Sequence, residues 1–191
     1  MTLWDFKAGF YDRLRLLPPL KNIYLAELEN LTTLIPQQSF QKQLDLGTGP
    51  GFTFSKLRRA EWCCISDLSL DMVKQAKASE KRPGACLNAN SALPFRDTSF
   101  DFITAVGLLE YLSDPTVFFD ETFRIARPDG FMLFTSSPRS WKTALRRLSG
   151  EKVRGMEKQD VQKMIERCGW EICEMQESWM QMQWLARKNG G

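Results

Sequence analysis

The sequence predicts a single α/β domain in which helices cover both faces of a mostly parallel sheet of about seven strands, with the last strand antiparallel. Three observations lead to this fold class. Short apolar runs alternate with helical stretches along most of the chain, which is typical of parallel strands joined by helices. A glycine-rich loop follows the first of these runs, between Leu46 and Phe52. The 191 residues are enough for one domain with a full core.

The stretch 44–51, with the sequence LDLGTGPG, is the most informative part of the chain. Gly47 and Gly49 can take φ values that are closed to other residues, and they let a ligand approach the backbone. The helix that follows directs free N–H groups and the positive end of its dipole towards that ligand. The loop does not match G-x-G-x-x-G, the pattern of dinucleotide-binding proteins, because Phe52 occupies the place of the third glycine. The loop therefore predicts another nucleotide-like ligand, bound by a Rossmann-like three-layer sandwich.

Two acidic residues narrow the class of ligand. Asp45 stands just before the first glycine, where it would disfavour a pyrophosphate and suit a ligand that carries a cationic amine. Asp67 follows roughly 20 residues later, at the end of the next apolar run, where an acid that binds ribose hydroxyls is expected in such folds. The glycine loop and these two acids together predict S-adenosylmethionine (SAM) as the cofactor.

Five motifs, in order along residues 40–136, make the chain resemble the class I SAM-dependent methyltransferases, and among them the small-molecule enzymes of the ubiquinone and menaquinone biosynthesis family. The motifs are residues 44–51, 67–72, 93–95 with 99–101, 107–115 and 127–130. The resemblance implies transfer of the SAM methyl group to a small-molecule acceptor, with release of S-adenosylhomocysteine (SAH). Two alternatives stay open: a non-catalytic binding or adaptor protein, and a SAM-fold transferase of another reaction class.

The resemblance also implies which residues contact the cofactor. They are Asp45, Gly47, Thr48, Gly49, Gly51, Asp67, Leu68, Met72, Asn88, Ala89, Asn90, Gly107 and Leu108. Relatives carry an aspartate, which accepts from the adenine amino group, where this chain has Ala89. An asparagine carbonyl can do the same, which leaves Asn88 and Asn90 as the two candidates.

Catalytic residues are harder to assign, because methyl transfer from an activated sulfonium mainly requires donor and acceptor to be held in line. Many relatives have a histidine where this chain has Tyr111, and this chain contains no histidine. In relatives, a segment similar to that around Tyr11 lies over the cofactor as a lid. Tyr11, Glu110 and Tyr111 are therefore the candidates for polar groups that position the acceptor.

The remaining elements follow from hydrophobic periodicity and breakers. Periodicity predicts helices in segment 1–36, and the resemblance implies that they form a lid or cap on the SAM-binding methyltransferase part, residues 37–191. Ser69 and Asp114 are placed to cap the helices that follow them. We predict strands at residues 41–46, 61–66, 85–87, 100–106, 131–135, 170–175 and 179–186, and helices at residues 20–35, 52–60, 70–78, 115–125 and 161–168.

Composition excludes several classes of protein. The absence of histidine argues against histidine-based hydrolases and most zinc enzymes, and five irregularly spaced cysteines predict neither a disulfide framework nor a metal site. No apolar run is long enough to span a membrane and no signal pattern opens the chain, so we expect a cytoplasmic protein. A net charge of +3 is too small to indicate nucleic acid. The basic segment 139–154 leaves open an anionic or lipid-like acceptor, or weak contact with an acidic membrane surface.

Overall fold

The computed structural model describes residues 20–140 and 153–190, and these form one domain around a seven-stranded sheet. The strands are β1 (Phe40–Leu46), β2 (Ala60–Asp67), β3 (Gly84–Cys86), β4 (Phe100–Ala105), β5 (Ala126–Ser136), β6 (Trp170–Glu177) and β7 (Met182–Lys188). The helices are α1 (Leu20–Leu34), α2 (Phe52–Leu57), α3 (Leu70–Glu80), α4 (Pro115–Ile125) and α5 (Lys158–Arg167), with a 3₁₀ turn at Leu109–Tyr111. None of the helices in the described ranges is long and apolar enough to cross a membrane.

The strand order is β3-β2-β1-β4-β5-β7-β6. The pairs from β3 to β5 are parallel, whereas β7 runs antiparallel to both of its neighbours. The predicted fold class is therefore confirmed, including the antiparallel last strand. Strand order reverses between β1 and β4, and in such sheets a crevice opens beyond the carboxyl ends of the strands at that point.

Apolar side chains pack on both faces of the sheet, because neighbouring residues of a strand point to opposite sides. On one face, buried Leu44 and Phe134 pack with Phe118 and Phe119 of α4 and with α5. On the other face, α1, α2 and α3 cover the sheet with buried leucine, phenylalanine and alanine side chains, which are Leu28, Leu31, Leu34, Phe54, Leu57 and Ala76. The two apolar clusters thus support the strands on both faces of the sheet, next to the crevice.

Helix α2 is shorter than predicted. It ends at Leu57, because Arg58 is extended and the Arg59 backbone N–H donates to the Gln43 side chain at 2.9 Å. Gln43 lies in β1 and is fully buried, so this bond fixes the chain as it turns into β2. As a result, Ala60 belongs to β2, although the periodicity predicts it to be helical.

The last strands also differ from the prediction. Residues 127–130 precede the predicted strand at residues 131–135 and are expected to form a turn, but they are part of β5. Asp129 takes a φ of 62° and the register against β4 shifts there, so these residues form a bulge within a longer strand. Strand β7 begins at Met182, because Ser178 and Gln181 form a turn through a backbone hydrogen bond of 2.9 Å. The two caps are confirmed: Ser69 Oγ accepts from the Met72 N–H, and Asp114 Oδ1 accepts from the Thr116 N–H.

The motif at residues 93–95, Leu-Pro-Phe, is held by two charged residues of α4. Arg124 donates to the carbonyls of Leu93 and Phe95 at 2.9 and 2.8 Å, and Glu121 accepts from the Leu93 N–H at 2.7 Å. Arg124 also bonds Glu121, so the pair forms one unit. These bonds fix the loop between β3 and β4, which forms part of the cavity described below.

A buried polar network joins α1 to the β6–β7 turn. The carboxylate of Glu27 accepts from the Ser178 hydroxyl, from the Met180 N–H at 3.1 Å and from the Gln183 amide at 3.0 Å. Glu27 and Gln183 are both buried, so removing one of them leaves buried polar groups without a hydrogen-bond partner. The network fixes α1 against the far edge of the sheet.

We expect Glu27→Ala to lower the free energy of unfolding by about 2–4 kcal/mol, because it leaves buried donors unpaired. Urea unfolding followed by circular dichroism measures the change. Glu29→Ala is the matched control, since Glu29 lies on the exposed side of the same helix, and a change within about 0.5 kcal/mol is expected there. Equal losses in the two variants would contradict a special role for the Glu27 network.

Candidate functional site

A cavity of about 250 Å³ opens at the carboxyl ends of β1, β2 and β4. It lies where the reversal of strand order predicts a ligand site. Its walls are formed by Tyr24, Gly47, Thr48, Gly49, Pro50, Phe52, Thr53, Asp67, Leu68, Met72, Leu87, Asn88, Ala89, Asn90, Val106, Gly107, Leu108, Tyr111 and Leu112. Eleven of the thirteen residues predicted to bind a cofactor are in this set, and only Asp45 and Gly51 are not.

The glycine loop provides open space beside the backbone. Gly49 and Gly107 have φ values of 55° and 68°, and a Cβ atom on either would meet nothing within 4 Å. Gly47 has a φ of 71°, but a Cβ there would approach Leu108 Cδ1 to 3.1 Å. A side chain at Gly47 would therefore crowd Leu108, whereas Gly49 and Gly107 leave room that a ligand can fill.

Asp67 ties the glycine loop to the loop after β2. One carboxylate oxygen accepts from the Gly49 N–H and the other from the Ser69 N–H, both at 2.9 Å. A carboxylate has about four lone-pair positions, so Asp67 has the capacity to accept ligand hydroxyls in addition to these bonds. Its side chain lines the cavity, as the sequence predicts for an acid that binds ribose.

Asp45 does not line the cavity. Its register partner on β4 is Thr104, whose hydroxyl donates a short hydrogen bond to the Asp45 carboxyl, and only 4% of the residue is exposed. Asp45 is thus buried at the carboxyl end of β1, directly before the glycine loop. Burial raises the pKa of Asp45 to about 7, against the effect of the Thr104 hydrogen bond, and the nearby charges of Asp67 and Glu80 raise it further.

This pKa predicts a specific dependence of stability on pH. Between about pH 4 and pH 7 the folded state keeps a proton on Asp45 that the unfolded state has lost, so the free energy of unfolding falls as pH rises through this window. The pKa difference corresponds to about 4 kcal/mol in total. Urea unfolding at several pH values measures this slope. Asp45→Asn cannot titrate and should reduce the slope; an unchanged slope would contradict the raised pKa.

The asparagines after β3 bond to each other and to the segment after the 3₁₀ turn. Asn88 Oδ1 accepts from the backbone N–H and the side-chain amide of Asn90, at 3.0 and 3.2 Å. Asn90 Oδ1 accepts from the backbone N–H and the hydroxyl of Ser113, at 2.7 and 2.9 Å. Both residues line the cavity. Each carbonyl oxygen already accepts two hydrogen bonds, which differs from the acceptor role that the sequence suggests.

The three candidate positioning residues have different locations. Tyr111 lines the cavity. Glu110 is buried away from the cavity wall, where its carboxylate accepts from the Ser137 hydroxyl at 3.0 Å and its carbonyl from the Arg154 N–H at 2.8 Å. These bonds give Glu110 a structural role between the 3₁₀ turn and the end of β5. Tyr11 lies outside the described residues.

Sequence reasoning missed an aromatic wall on the side of α1. Tyr24 lines the cavity. The periodicity of the predicted helix at residues 20–35 instead places it in a buried apolar stripe, with Leu20, Ile23, Leu28, Leu31 and Ile35. The Tyr24 hydroxyl is 2.5 Å from Thr53 Oγ1, and its ring lies 5.7 Å from that of Phe52, tilted by 37°. The only signal in the sequence was a hydroxyl-bearing residue in an otherwise apolar stripe.

The cavity is chemically suited to SAM. Asp67 is the only charged side chain among the described lining residues, and it lies where a ribose is expected. Apolar side chains of Leu68, Met72 and Leu87 flank it and offer surfaces to a flat base. The open space at Gly49 and Gly107 suits the remaining arm of the ligand.

Comparison with known proteins agrees with this site. A family model described as a methyltransferase domain matches residues 44–134. A malonyl-[acyl-carrier protein] O-methyltransferase of Erwinia billingiae is 34% identical over 110 residues, which are 56% of this chain and 43% of that protein. The chain thus spans less than half the length of this curated relative.

Solved structures support the fold. N-methyltransferase NodS of Bradyrhizobium japonicum, in complex with SAH, superimposes with a TM-score of 0.76 at 17% identity, covering 97% of this chain and 96% of NodS. A Haloferax volcanii chain from a complex with the Trm112 methyltransferase activator gives a TM-score of 0.81 at 15% identity, covering 99% of both chains. These structures show that the chain has the fold of known methyltransferases, and the family model for a methyltransferase domain matches just under half of the chain, residues 44–134.

Proposed function

We propose that the protein transfers the methyl group of SAM to a small-molecule acceptor and releases SAH. The observation that carries the proposal is the Asp67 carboxylate, which bonds the Gly49 N–H and lines the cavity at the carboxyl ends of the strands. Asp67 would hold the ribose, the glycine loop the methionine arm, and Leu68 and Met72 the base. When bound, SAM supplies a methyl group already activated on a sulfonium.

The chain's own residues orient the reactants and exclude water. Tyr24, Phe52 and Tyr111 form the part of the wall that an acceptor would meet, and the two tyrosine hydroxyls can orient its polar atoms. The described wall carries no strong base, so the site favours an acceptor that is reactive without losing a proton. We propose that residues 1–36 complete this wall as a lid. We also propose that the protein acts in the cytoplasm.

A malonyl thioester on acyl-carrier protein is the first acceptor to test. Relatives named malonyl-[acyl-carrier protein] O-methyltransferase share 30–34% identity with this chain over their common part. A free malonyl carboxylate is already anionic at neutral pH, and it therefore needs no base in the site. The basic residues of segment 139–154 suit an anionic acceptor.

The test is to incubate the protein with SAM and malonyl-acyl-carrier protein and to measure SAH and the methyl ester by mass spectrometry. Acetyl-acyl-carrier protein is the matched control, because it lacks the free carboxylate. We expect SAH release that depends on the malonyl group. Equal background SAH with both carriers would reject this acceptor, and failure to bind SAM at all would reject the methyltransferase function.

A further inference from the structure

We propose that the mouth of the cavity docks onto an anionic lipid membrane, through exposed apolar side chains on both sides of the mouth and positive charge beside it. The inference rests on the proposed function, because an acceptor must enter the cavity through this mouth. It adds a partner, a lipid surface, and with it the side from which the acceptor arrives.

Large exposed apolar side chains gather at one end of the sheet. Seven such side chains are exposed within the described residues, and six of them lie on segments at the carboxyl ends of the strands. We call these six the apolar rim: Leu25, Phe52, Leu68, Leu70, Trp179 and Met180. Single exposed apolar residues are normal on a protein surface, but a group of this size on one side indicates an interaction site.

The apolar rim flanks the mouth on two sides. On one side, Leu68 lines the cavity directly after β2, and Leu70, 53% exposed, is the first residue of α3. On the other side, Trp179 and Met180 lie in the turn before β7, whose first residue pairs with Ser136 at the carboxyl end of β5. Four strand spacings separate β2 from β7, so the apolar rim extends about 20 Å across the mouth.

The turn that carries Trp179 is fixed in place by its neighbours. The Glu27 carboxylate accepts from the Ser178 hydroxyl and from the Met180 N–H, the latter at 3.1 Å. Trp179 lies between these two bonded residues and is nevertheless 55% exposed. Tryptophan favours the boundary between lipid and water, because its ring is apolar and its indole N–H can still bond to polar groups.

Positive charge lies at the same end of the sheet. Segment 139–154 contains six basic residues and one acid, a net charge of +5, whereas the whole chain carries +3. Its described ends, Arg139 and Arg154, are exposed. They follow the carboxyl end of β5, where the Arg154 N–H donates to the Glu110 carbonyl at 2.8 Å. Basic residues beside an apolar surface suit anionic lipid headgroups.

A bilayer suits this surface better than a folded partner does. The apolar rim is divided among α1, α2, the segment after β2 and the turn before β7, and these surround an opening. A folded partner would have to match that outline, whereas a fluid bilayer accepts each side chain separately and needs no complementary shape. Because no helix in the described ranges is long and apolar enough to cross a membrane, we infer contact with the bilayer surface by these ranges.

The experiment is sedimentation of the protein with lipid vesicles. The vesicles contain phosphatidylcholine alone or with about one third phosphatidylglycerol, which is anionic. We expect the wild type to bind the anionic vesicles at least about 10-fold more tightly, and 0.5 M salt to weaken this binding. Trp179→Gln should weaken it by about 10-fold or more, because it removes apolar surface from the lipid.

Trp62→Gln is the matched control. Trp62 is also exposed, at 43%, but it lies near the start of β2, at the opposite end of the sheet from the mouth. We expect its vesicle binding to stay within about 2-fold of the wild type. The thermal midpoint of unfolding checks that both variants are folded. Equal losses in the two variants, or no loss in Trp179→Gln, would overturn the assignment of the apolar rim.

The remaining outcomes separate this inference from the proposed function. A wild type that binds SAH in calorimetric titration but does not sediment with anionic vesicles shows that the docking proposal is wrong and leaves the proposed function standing. If vesicles are not bound and Trp179→Gln instead weakens binding of malonyl-acyl-carrier protein, the apolar rim binds a carrier protein and the membrane is the wrong partner. Binding of neither SAH nor vesicles contradicts both proposals.

Discussion

Gly107→Val is expected to weaken SAH binding by at least about 100-fold while leaving the protein folded. Gly107 has a φ of 68°, and a Cβ there would meet no protein atom within 4 Å, so the branched side chain would extend into the cavity. The left-handed backbone adds a cost of about 1–2 kcal/mol for a residue with a Cβ. The loss of affinity then results mainly from the space that the valine side chain occupies in the cavity. Calorimetric titration with SAH measures this loss.

Gly169→Ala is the control for backbone strain. Gly169 also has a positive φ, 90°, but it follows α5, outside the cavity wall, and a Cβ there would come within 2.8 Å of the Phe123 ring. We expect this variant to lose about 2–3 kcal/mol of stability and to keep its affinity for SAH. Wild-type affinity in a folded Gly107→Val variant would show that the ligand does not use this space.

Asp67→Ala is expected to weaken SAH binding by about 100-fold or more. The substitution removes the charged acceptor for the ribose hydroxyls, and each hydrogen bond to a charged group contributes about 1.5–3 kcal/mol. It also releases the Gly49 N–H, which the carboxylate holds at 2.9 Å, so the glycine loop loses a constraint. Calorimetric titration and urea unfolding, measured together, separate the loss of affinity from any loss of stability.

Asp67→Asn tests how much of the affinity depends on the charge and the second oxygen of Asp67. The amide keeps one oxygen acceptor, whereas the two oxygens of Asp67 serve the Gly49 and Ser69 N–H groups. We expect a loss of affinity of about 10-fold, between that of the wild type and that of Asp67→Ala. If the alanine variant binds SAH as tightly as the wild type does, Asp67 is not the ribose-binding acid.

The sequence was sufficient for the fold and for most of the cavity because the determining signals are local. The glycine loop, the apolar run before Asp67 and the two capped helices each depend on residues that are close in the chain. Parallel topology then places the ends of β1, β2 and β4 at one edge, so residues from separate motifs meet without further information. Eleven predicted cofactor-binding residues line one cavity for this reason.

What the sequence could not predict depends on contacts between distant parts of the chain. The burial of Asp45 follows from its register with Thr104, 59 residues away. The place of Tyr24 depends on how α1 packs against α2, and the orientation of Asn88 depends on bonds that reach Ser113 through Asn90. Each of these contacts joins segments whose relative position no local pattern encodes.

Calorimetric titration of the wild-type protein with SAH tests the central claim most directly, because it requires no knowledge of the acceptor. The cavity predicts a single site with a dissociation constant in the micromolar range and competition between SAH and SAM. A folded protein that gives no binding signal with either compound at millimolar concentration would contradict the assignment of this cavity as a SAM site.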